Sequence, residues 1–241
     1  DLKMTIITND PAKRYYYTLL FGDKYRVKIA TRNVNIPGIQ NFRDLGGYPS
    51  YSTKKQVRWG MIYRSAEIDS LECYSRRELR NLGIKTLIDL RASSETGRQS
   101  PLQKEFNVVH IPLATGDMEN ILKGIREEKI KSDTVYRMVE QMNRDLIDKY
   151  TTEYRQIFDI LLDKNSYPVV IHCSSGKGRT GIVSALVLAA LGINEDIIME
   201  DYRLSNDYFN IPSASKDAYQ LPARSQEAIT TLFSAREDFL N

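Results

Sequence analysis

Hydrophobic and polar positions along the 241 residues change their period near residue 40. Up to Pro37 the apolar residues fall in short runs rich in tyrosine and β-branched side chains: Met4 to Thr8, Arg14 to Phe21 and Tyr25 to Thr31. Turn signals at Asn9-Asp10-Pro11 and Gly22-Asp23 separate them, so three antiparallel strands are predicted, a small β appendage over residues 1–37. From Asn41 the pattern becomes strand alternating with helix. Val57 to Tyr63 reads as a strand. Ser75-Arg-Arg-Glu78 has the form of a capping box that opens a short helix, and Gly83 ends it. Thr86 to Leu90 and Val108 to Leu113 read as buried strands. Helical spacing of Val135, Met138, Met142, Leu146 and Ile147 predicts a long helix starting at Ser132-Asp133, and a second covers Glu153 to Leu162. Val169 to Ile171 is a strand, Gly181 to Leu191 a buried helix capped by Gly192, and Asn194 to Tyr202 and Ser225 to Phe239 two further helices. This order is an α/β layout with a mostly parallel central sheet flanked by helices.

Composition narrows the classes. With 41% hydrophobic and 27% charged residues the chain is soluble and globular rather than disordered. A net charge of +3 suits a small anionic substrate, and with no block of lysine or arginine a nucleic-acid partner is not expected. The longest apolar run, Ile182 to Leu191, is too short to span a bilayer. The chain begins at Asp1, so a cytoplasmic protein and an exported one with its signal removed fit equally. Cys73 and Cys173 form no disulfide framework, and with His110 and His172 no metal set. No metal or cofactor is expected.

The chemistry gathers at residues 169–183, "VVIHCSSGKGRTGIV". A strand ends on Cys173, a loop of small residues follows, and a helix begins. Such junctions bind anions in α/β folds, because the helix dipole and unpaired N–H groups favour negative charge there. Ser174, Ser175, Gly176 and Gly178 let the backbone turn its N–H groups inward. Arg179 can close this cradle with a two-pronged grip on phosphate. A thiol at its centre has its pKa lowered and becomes a nucleophile near neutral pH. A nucleotide-binding Walker loop is excluded, since Ile171 stands where glycine is required and Gly178 where serine or threonine is.

Residues 172–181, His-Cys-Ser-Ser-Gly-Lys-Gly-Arg-Thr-Gly, resemble the signature loop of the cysteine-dependent protein tyrosine phosphatase superfamily. With "NFRDLGGY" at 41–48, "IYRSAEI" at 62–68, "GIKTLIDLR" at 83–91 and "IMEDYRLSNDYF" at 198–209, the chain is similar to a bacterial branch of tyrosine and dual-specificity phosphatases. Some members of that branch also act on phosphoinositides. The resemblance covers roughly residues 38–210 and leaves the appendage outside; a phosphatase domain is expected over 38–241. Many relatives carry aspartate where Gly178 stands, and the Gly-Lys-Gly-Arg form here is similar to the loop of tensin-type lipid phosphatases.

The resemblance implies a tyrosine-phosphatase fold and a two-step, metal-free hydrolysis. Cys173 attacks phosphorus to form a phosphocysteine, while Arg179 and the loop amides hold the equatorial oxygens. The expected substrate-binding set is Ser174, Ser175, Gly176, Lys177, Gly178, Arg179 and Thr180. Thr180 can donate to the thiolate or merely cap its helix, Lys177 adds charge at the pocket rim or is a solvated loop lysine, and His172 holds the loop's shape. The superfamily supplies its general acid from a loop after a preceding strand. "HIPLATGDMEN" occupies that place, which points to Asp117, with a turn or helix-start aspartate as the structural alternative, since Gly116-Asp117 is good turn chemistry, and Glu119 and Asp133 as substitutes. Asn41, Arg43, Asp44, Arg64, Asp89, Arg91 and Glu95 are expected to form a supporting polar network. The implied function is protein tyrosine phosphatase. The alternatives are a phosphoinositide or other polyphosphate phosphatase and, more remotely, an inactive phosphate-binding module.

Overall fold

The computed structural model describes residues 5–7, 13–22, 24–69, 71–96, 101–211 and 218–240. Its centre is a five-stranded mixed sheet. Strand β9 (Val169–His172) lies in the middle, between β6 (Ile62–Ser65) and β7 (Thr86–Asp89), and is parallel to both. Outside these lie β8 (Asn107–His110), parallel to β7, and the two-residue β3 (Arg43–Asp44), antiparallel to β6. All four residues of β9 are buried, as a strand covered on both faces requires. Its alternation sends Val169 and Ile171 into a core with Ile182, Val183 and Val187, and Val170 into a second core with Leu79, Ile84 and Leu87.

Helix α1 (Cys73–Asn81) follows β6, and α2 (Met118–Arg126), α3 (Ser132–Lys149) and α4 (Thr151–Leu162) lie between β8 and β9. Helix α5 (Gly178–Ala190) leaves the carboxyl end of β9, followed by α6 (Glu195–Arg203), the short α7 (Ser205–Tyr208) and α8 (Ala223–Phe233). A third cluster, built on Ile125, Val135, Val139, Ala228 and Leu232, packs α2, α3 and α8 together beside the loop after β9.

Two small ribbons complete the fold. One pairs β1 (Tyr17–Phe21) with β2 (Tyr25–Ile29), the other β4 (Pro49–Ser50) with β5 (Lys55–Gln56). The expected strand Met4 to Thr8 and its turn at residues 9–11 lie outside the described residues apart from 5–7, which are not in a strand.

Three expectations are corrected. Val57 to Tyr63 is not one strand, because Gly60, at φ +76°, turns the chain and donates its N–H to the Asp44 carboxylate at 2.7 Å before β6 begins. The capping box at Ser75 does not form: α1 starts at Cys73, and Ser75 donates its hydroxyl to Pro37 O at 2.6 Å. Helix α2 was not anticipated; Gly116 and Asp117, which read as turn chemistry, stand at its start.

Candidate active site

The loop Ser174–Lys177 joins β9 to α5. Its shape follows from where its carbonyls are held. Ser174 O accepts from Glu67 N at 3.3 Å, Ser175 O from Asn41 Nδ2 at 3.1 Å, and Lys177 O from Gly181 N at 2.7 Å. Gly176 O accepts from both Asn41 Nδ2 at 3.1 Å and Arg64 Nη2 at 2.7 Å. With every carbonyl of this run engaged, its amides face away from backbone acceptors, and that of Gly176 bonds the Cys173 sulfur. Among the described residues, no backbone carbonyl accepts from the N–H of Ser174, Ser175, Gly176 or Lys177. Gly176 has φ +67°, and a Cβ there would stand 2.4 Å from the Ser65 carbonyl group, so only glycine fits. Gly178 is different. A Cβ there would meet Asn143 Oδ1, at 3.8 Å, so space does not demand glycine at this position.

Behind the loop lies a buried charge network. Asp201 of α6 accepts from Arg64 at 2.6 Å, from Tyr48 at 2.9 Å and, more weakly, from Arg43 at 3.4 Å. Arg43 also donates to Asp201 O and to the Asn41 amide oxygen. Burial alone would raise the Asp201 carboxyl, but Arg43, Arg64 and Tyr48 hold it at about 2. The expected network of Asn41, Arg43 and Arg64 is thus joined by Asp201, and by Ser205, whose hydroxyl accepts from Arg43 at 3.1 Å. Neither was singled out from sequence, although both sit in the stretch 198–209 that carries the family resemblance.

Cys173 is buried at the centre of the loop. Burial would push its thiol up. The Arg179 charge, the Thr180 hydroxyl and the amides of Thr180 and Gly176 outweigh that and bring it below the ordinary thiol value. Arg179 is oriented from outside by Glu95: Nη2 lies 2.8 Å and Nη1 2.5 Å from its two oxygens. Glu95 also accepts from Ser174 Oγ at 2.6 Å. Burial raises the Glu95 carboxyl, but these partners hold it at about 2, so it is a fixed anion that aims Arg179 and not a proton donor at neutral pH. Sequence reading placed Glu95 in the supporting network; its direct grip on Arg179 spans 84 residues of chain and had no local signal.

Lys177 departs from expectation. It does not present its charge at the rim. The side chain is buried, and its ammonium donates to Leu232 O at 2.6 Å and Ser234 O at 2.9 Å, carbonyls at the carboxyl end of α8. Burial lowers its pKa to about 7. Its ammonium ties α8 to the signature loop.

A cavity of about 60 Å³ lies over the thiol, room for about two waters. Cys173, Ser175, Lys177, Gly178 and Arg179 form its floor, and Thr115, Met118, Val139, Met142, Asn143, Leu146, Leu232 and Phe233 its walls. Asp117 does not line it. It caps α2, accepting from Asn120 N at 3.0 Å and Asn120 Nδ2 at 2.5 Å. Glu119 lies in the first turn of α2, and Asp133 pairs with Arg137 on α3 at 3.2 Å. His172 is buried under the loop, its Nδ1 without a hydrogen-bond partner and 4.0 Å from Asp89 Oδ1.

Residues 34–241 match the model of the tyrosine phosphatase family, and the chain belongs to that family. It is 32% identical over 220 residues to the triple specificity protein phosphatase PtpB of Mycobacterium tuberculosis, a match covering 82% of this chain and 75% of that one. It is 26% identical over 148 residues to a tyrosine-protein phosphatase of Nostoc commune, covering 60% of this chain and 48% of that one. Among solved structures, the Siw14 catalytic core aligns with a TM-score of 0.41 at 16% identity, over 83% of this chain and 95% of that chain. TpbA of P. aeruginosa aligns with a TM-score of 0.35 at 16% identity, over 71% and 86%.

Two outcomes follow from this geometry. Asp201→Asn removes the carboxylate that balances Arg43 and Arg64 in a buried site, and should cost about 3–5 kcal/mol in urea unfolding. In the surviving folded protein vanadate affinity should fall, because Arg64 is no longer held against Gly176 O. Wild-type stability with wild-type affinity would show that the network does not set the loop. The second outcome concerns His172, whose pKa burial lowers to about 4, with Asp89 opposing. Above about pH 6.5 the ring is neutral folded and unfolded, and its contribution is complete. Between about pH 6.5 and 4 the unfolded chain takes up a proton that the folded one refuses, so stability falls with pH by on the order of 3 kcal/mol. Urea titrations should show this slope, and His172→Asn should flatten it.

Proposed function

We propose that the chain is a phosphomonoester hydrolase acting on protein phosphotyrosine. Cys173 attacks phosphorus in line, and the ester P–O bond breaks as Asp117 protonates the leaving oxygen. Water then attacks the phosphocysteine, gives its proton to the Asp117 carboxylate, and releases phosphate and the Cys173 thiolate. Arg179, through Nε and through the Nη N–H groups that exchange their weaker contacts to Ser174 Oγ and the Leu90 and Leu113 carbonyls for the ligand, holds the equatorial oxygens together with the loop amides. Thr180 donates to the departing thiolate.

The observation that carries the substrate class is the lining of the cavity. Its walls are mostly apolar, Met118, Val139, Met142, Leu146, Leu232 and Phe233 with the polar Thr115 and Asn143, and among the described residues its cations are Arg179 and Lys177. Lys177 is already engaged by two carbonyls and Arg179 by Glu95. A single phosphate on an apolar aryl ring suits such walls. Among the described residues a polyphosphorylated headgroup would meet no second free cation there, which sets the phosphoinositide alternative behind. At about 60 Å³ the cavity is of a size for a phosphate, and Met118, Leu232 and Phe233 are among the walls that the ring behind it would meet. Asp117 is the acid because Thr115 and Met118, on either side of it, both line the cavity that holds Cys173.

Cys173→Ser should abolish turnover and leave vanadate binding measurable, since the amides and Arg179 remain; hydrolysis by the serine variant would end the phosphocysteine mechanism. Asp117→Ala should lower kcat on a phosphotyrosine peptide about 10²–10⁴-fold. It should lower kcat on para-nitrophenyl phosphate far less, because that leaving group hardly needs a proton. The alkaline limb of the pH–rate profile should flatten. Near-normal rates on both esters would pass the role to Glu119 or Asp133.

A further inference from the structure

The β1–β2 ribbon has an exposed tip that the chemistry of the site does not use. Opposed residues of an antiparallel pair share a face and alternate along the strands. The pairs Tyr17–Ile29, Leu19–Val27 and Phe21–Tyr25 therefore form one face, and all six side chains are apolar or aromatic. At the base of the ribbon Tyr17, Leu19 and Ile29 are half-buried. At the tip Phe21 is 57% and Tyr25 69% exposed, and Leu20, on the opposite face, is 65% exposed.

A two-stranded ribbon is marginal in water by itself, and among the described residues this one is fastened at its base. Arg14, just before β1, pairs with the buried Asp44 at 2.7 Å and donates to Tyr63 Oη at 3.0 Å. Trp59 Nε1 donates to Lys28 O at 2.9 Å, and Arg32, just after β2, donates to Asp44 O and Gly46 O at 2.7 Å. The tip is thus held out from a rigid anchor.

Charge is concentrated on the same segment. Residues 13–32 hold six Lys/Arg against one Asp, a formal +5, while the rest of the chain, with 28 Lys/Arg against 30 Asp/Glu, is −2. Arg14 and Arg32 are engaged in the anchor. Among the described residues, no carboxylate lies within ion-pair distance of Lys24, Arg26 or Lys28.

We propose that this ribbon docks the protein on an anionic membrane surface. Leu20, Phe21 and Tyr25 enter the boundary between headgroups and acyl chains, while Lys24, Arg26 and Lys28 meet the lipid phosphates and carboxylates. A few apolar side chains at a hairpin tip are far fewer than the 20–30 residues a side of a stable protein interface. They are sufficient for interfacial insertion when cations flank them. Each cation near such a surface strengthens partitioning by roughly fivefold. Tyrosine and phenylalanine beside lysine and arginine are the side chains that settle at that boundary. The docking does not depend on which phosphate ester the site hydrolyses.

The test is co-sedimentation of the full chain with vesicles of phosphatidylcholine, alone or mixed with phosphatidylserine. Phosphatidylserine carries a phosphodiester, which a monoester site does not hydrolyse, so binding reads the ribbon and not the pocket. The wild type should pellet with the mixed vesicles, not with phosphatidylcholine alone, and should be released by raised salt. Phe21→Ser with Tyr25→Ser, and separately Lys24→Glu with Arg26→Glu, should each weaken binding about tenfold or more. Their thermal melting and their hydrolysis of para-nitrophenyl phosphate should not change. No pelleting with the mixed vesicles, or equal pelleting of all variants, would overturn the proposal. So would a wild type that sediments as a dimer in free solution and becomes a monomer in the Phe21/Tyr25 variant, because the tip would then be the seat of a second copy.

Discussion

Everything at the site depends on where the carbonyls of residues 174–177 are held. A loop of four residues can offer its amides to an anion only if its carbonyls point elsewhere, because both alternate along one backbone. Here Glu67 N, Asn41 and Arg64 take the first three carbonyls and the first turn of α5 takes the fourth. Two of these anchors are side chains on or beside the sheet. They stay put because Asp201 pins Arg64, and because Arg43 holds both Asp201 and the Asn41 amide. A buried ion cluster of this kind is weak evidence for stability in itself. Its value lies in geometry: it makes the amide cradle the resting shape of the loop, ready for the charge carried by the equatorial oxygens of a bound phosphoryl group.

The charges inside the cradle are balanced as tightly. Arg179 must lower the Cys173 thiol yet remain available to a dianion. Glu95 makes both compatible: it fixes the guanidinium through both Nη atoms, Ser174 Oγ and the Leu90 and Leu113 carbonyls take further Nη contacts, and Nε is left without a protein acceptor among the described residues. Lys177, one residue from the loop glycine, would seem the natural second cation. Its ammonium is instead bonded to the last carbonyls of α8, where the helix dipole favours positive charge. Among the described residues lining the cavity, Arg179 is then the cation left for a ligand, beneath walls that are largely apolar.

The sequence made most of this legible where local chemistry decides. The strand–loop–helix at 169–190, the glycine that admits φ +67° and the long helix at Ser132 all follow from short-range patterns. What escaped depends on distance. Glu95 reaches Arg179 and Asp201 reaches Arg64 across 84 and 137 residues, and no periodicity marks such partners. Val57 to Tyr63 has strand composition, but Gly60 is a turn glycine whose amide is held by Asp44, and tertiary context overrides propensity there. Asp117 shows the same limit in reverse. Its helix-start reading was open from sequence, and the α2 cap is the geometry found; its chemical role rests on the neighbours that line the cavity.

Strand β3 links these levels. It is two residues long, lies at the edge of the sheet, and consists of a buried arginine followed by a buried aspartate. Consecutive strand residues point to opposite faces. Arg43 therefore turns toward Asp201, Asn41 and the signature loop, while Asp44 turns toward Arg14 and the β1–β2 ribbon. Burial raises the Asp44 carboxyl, and Arg14 with the amides of Gly46 and Gly60 opposes that rise. Each of the two charges is tolerable only while its partner stays in place. The anchor of the ribbon and the back wall of the phosphate loop thus share one peptide unit. A ribbon that shifted on its base would be felt first at Asp44, and through the backbone of Arg43 at the side chains that hold the loop carbonyls.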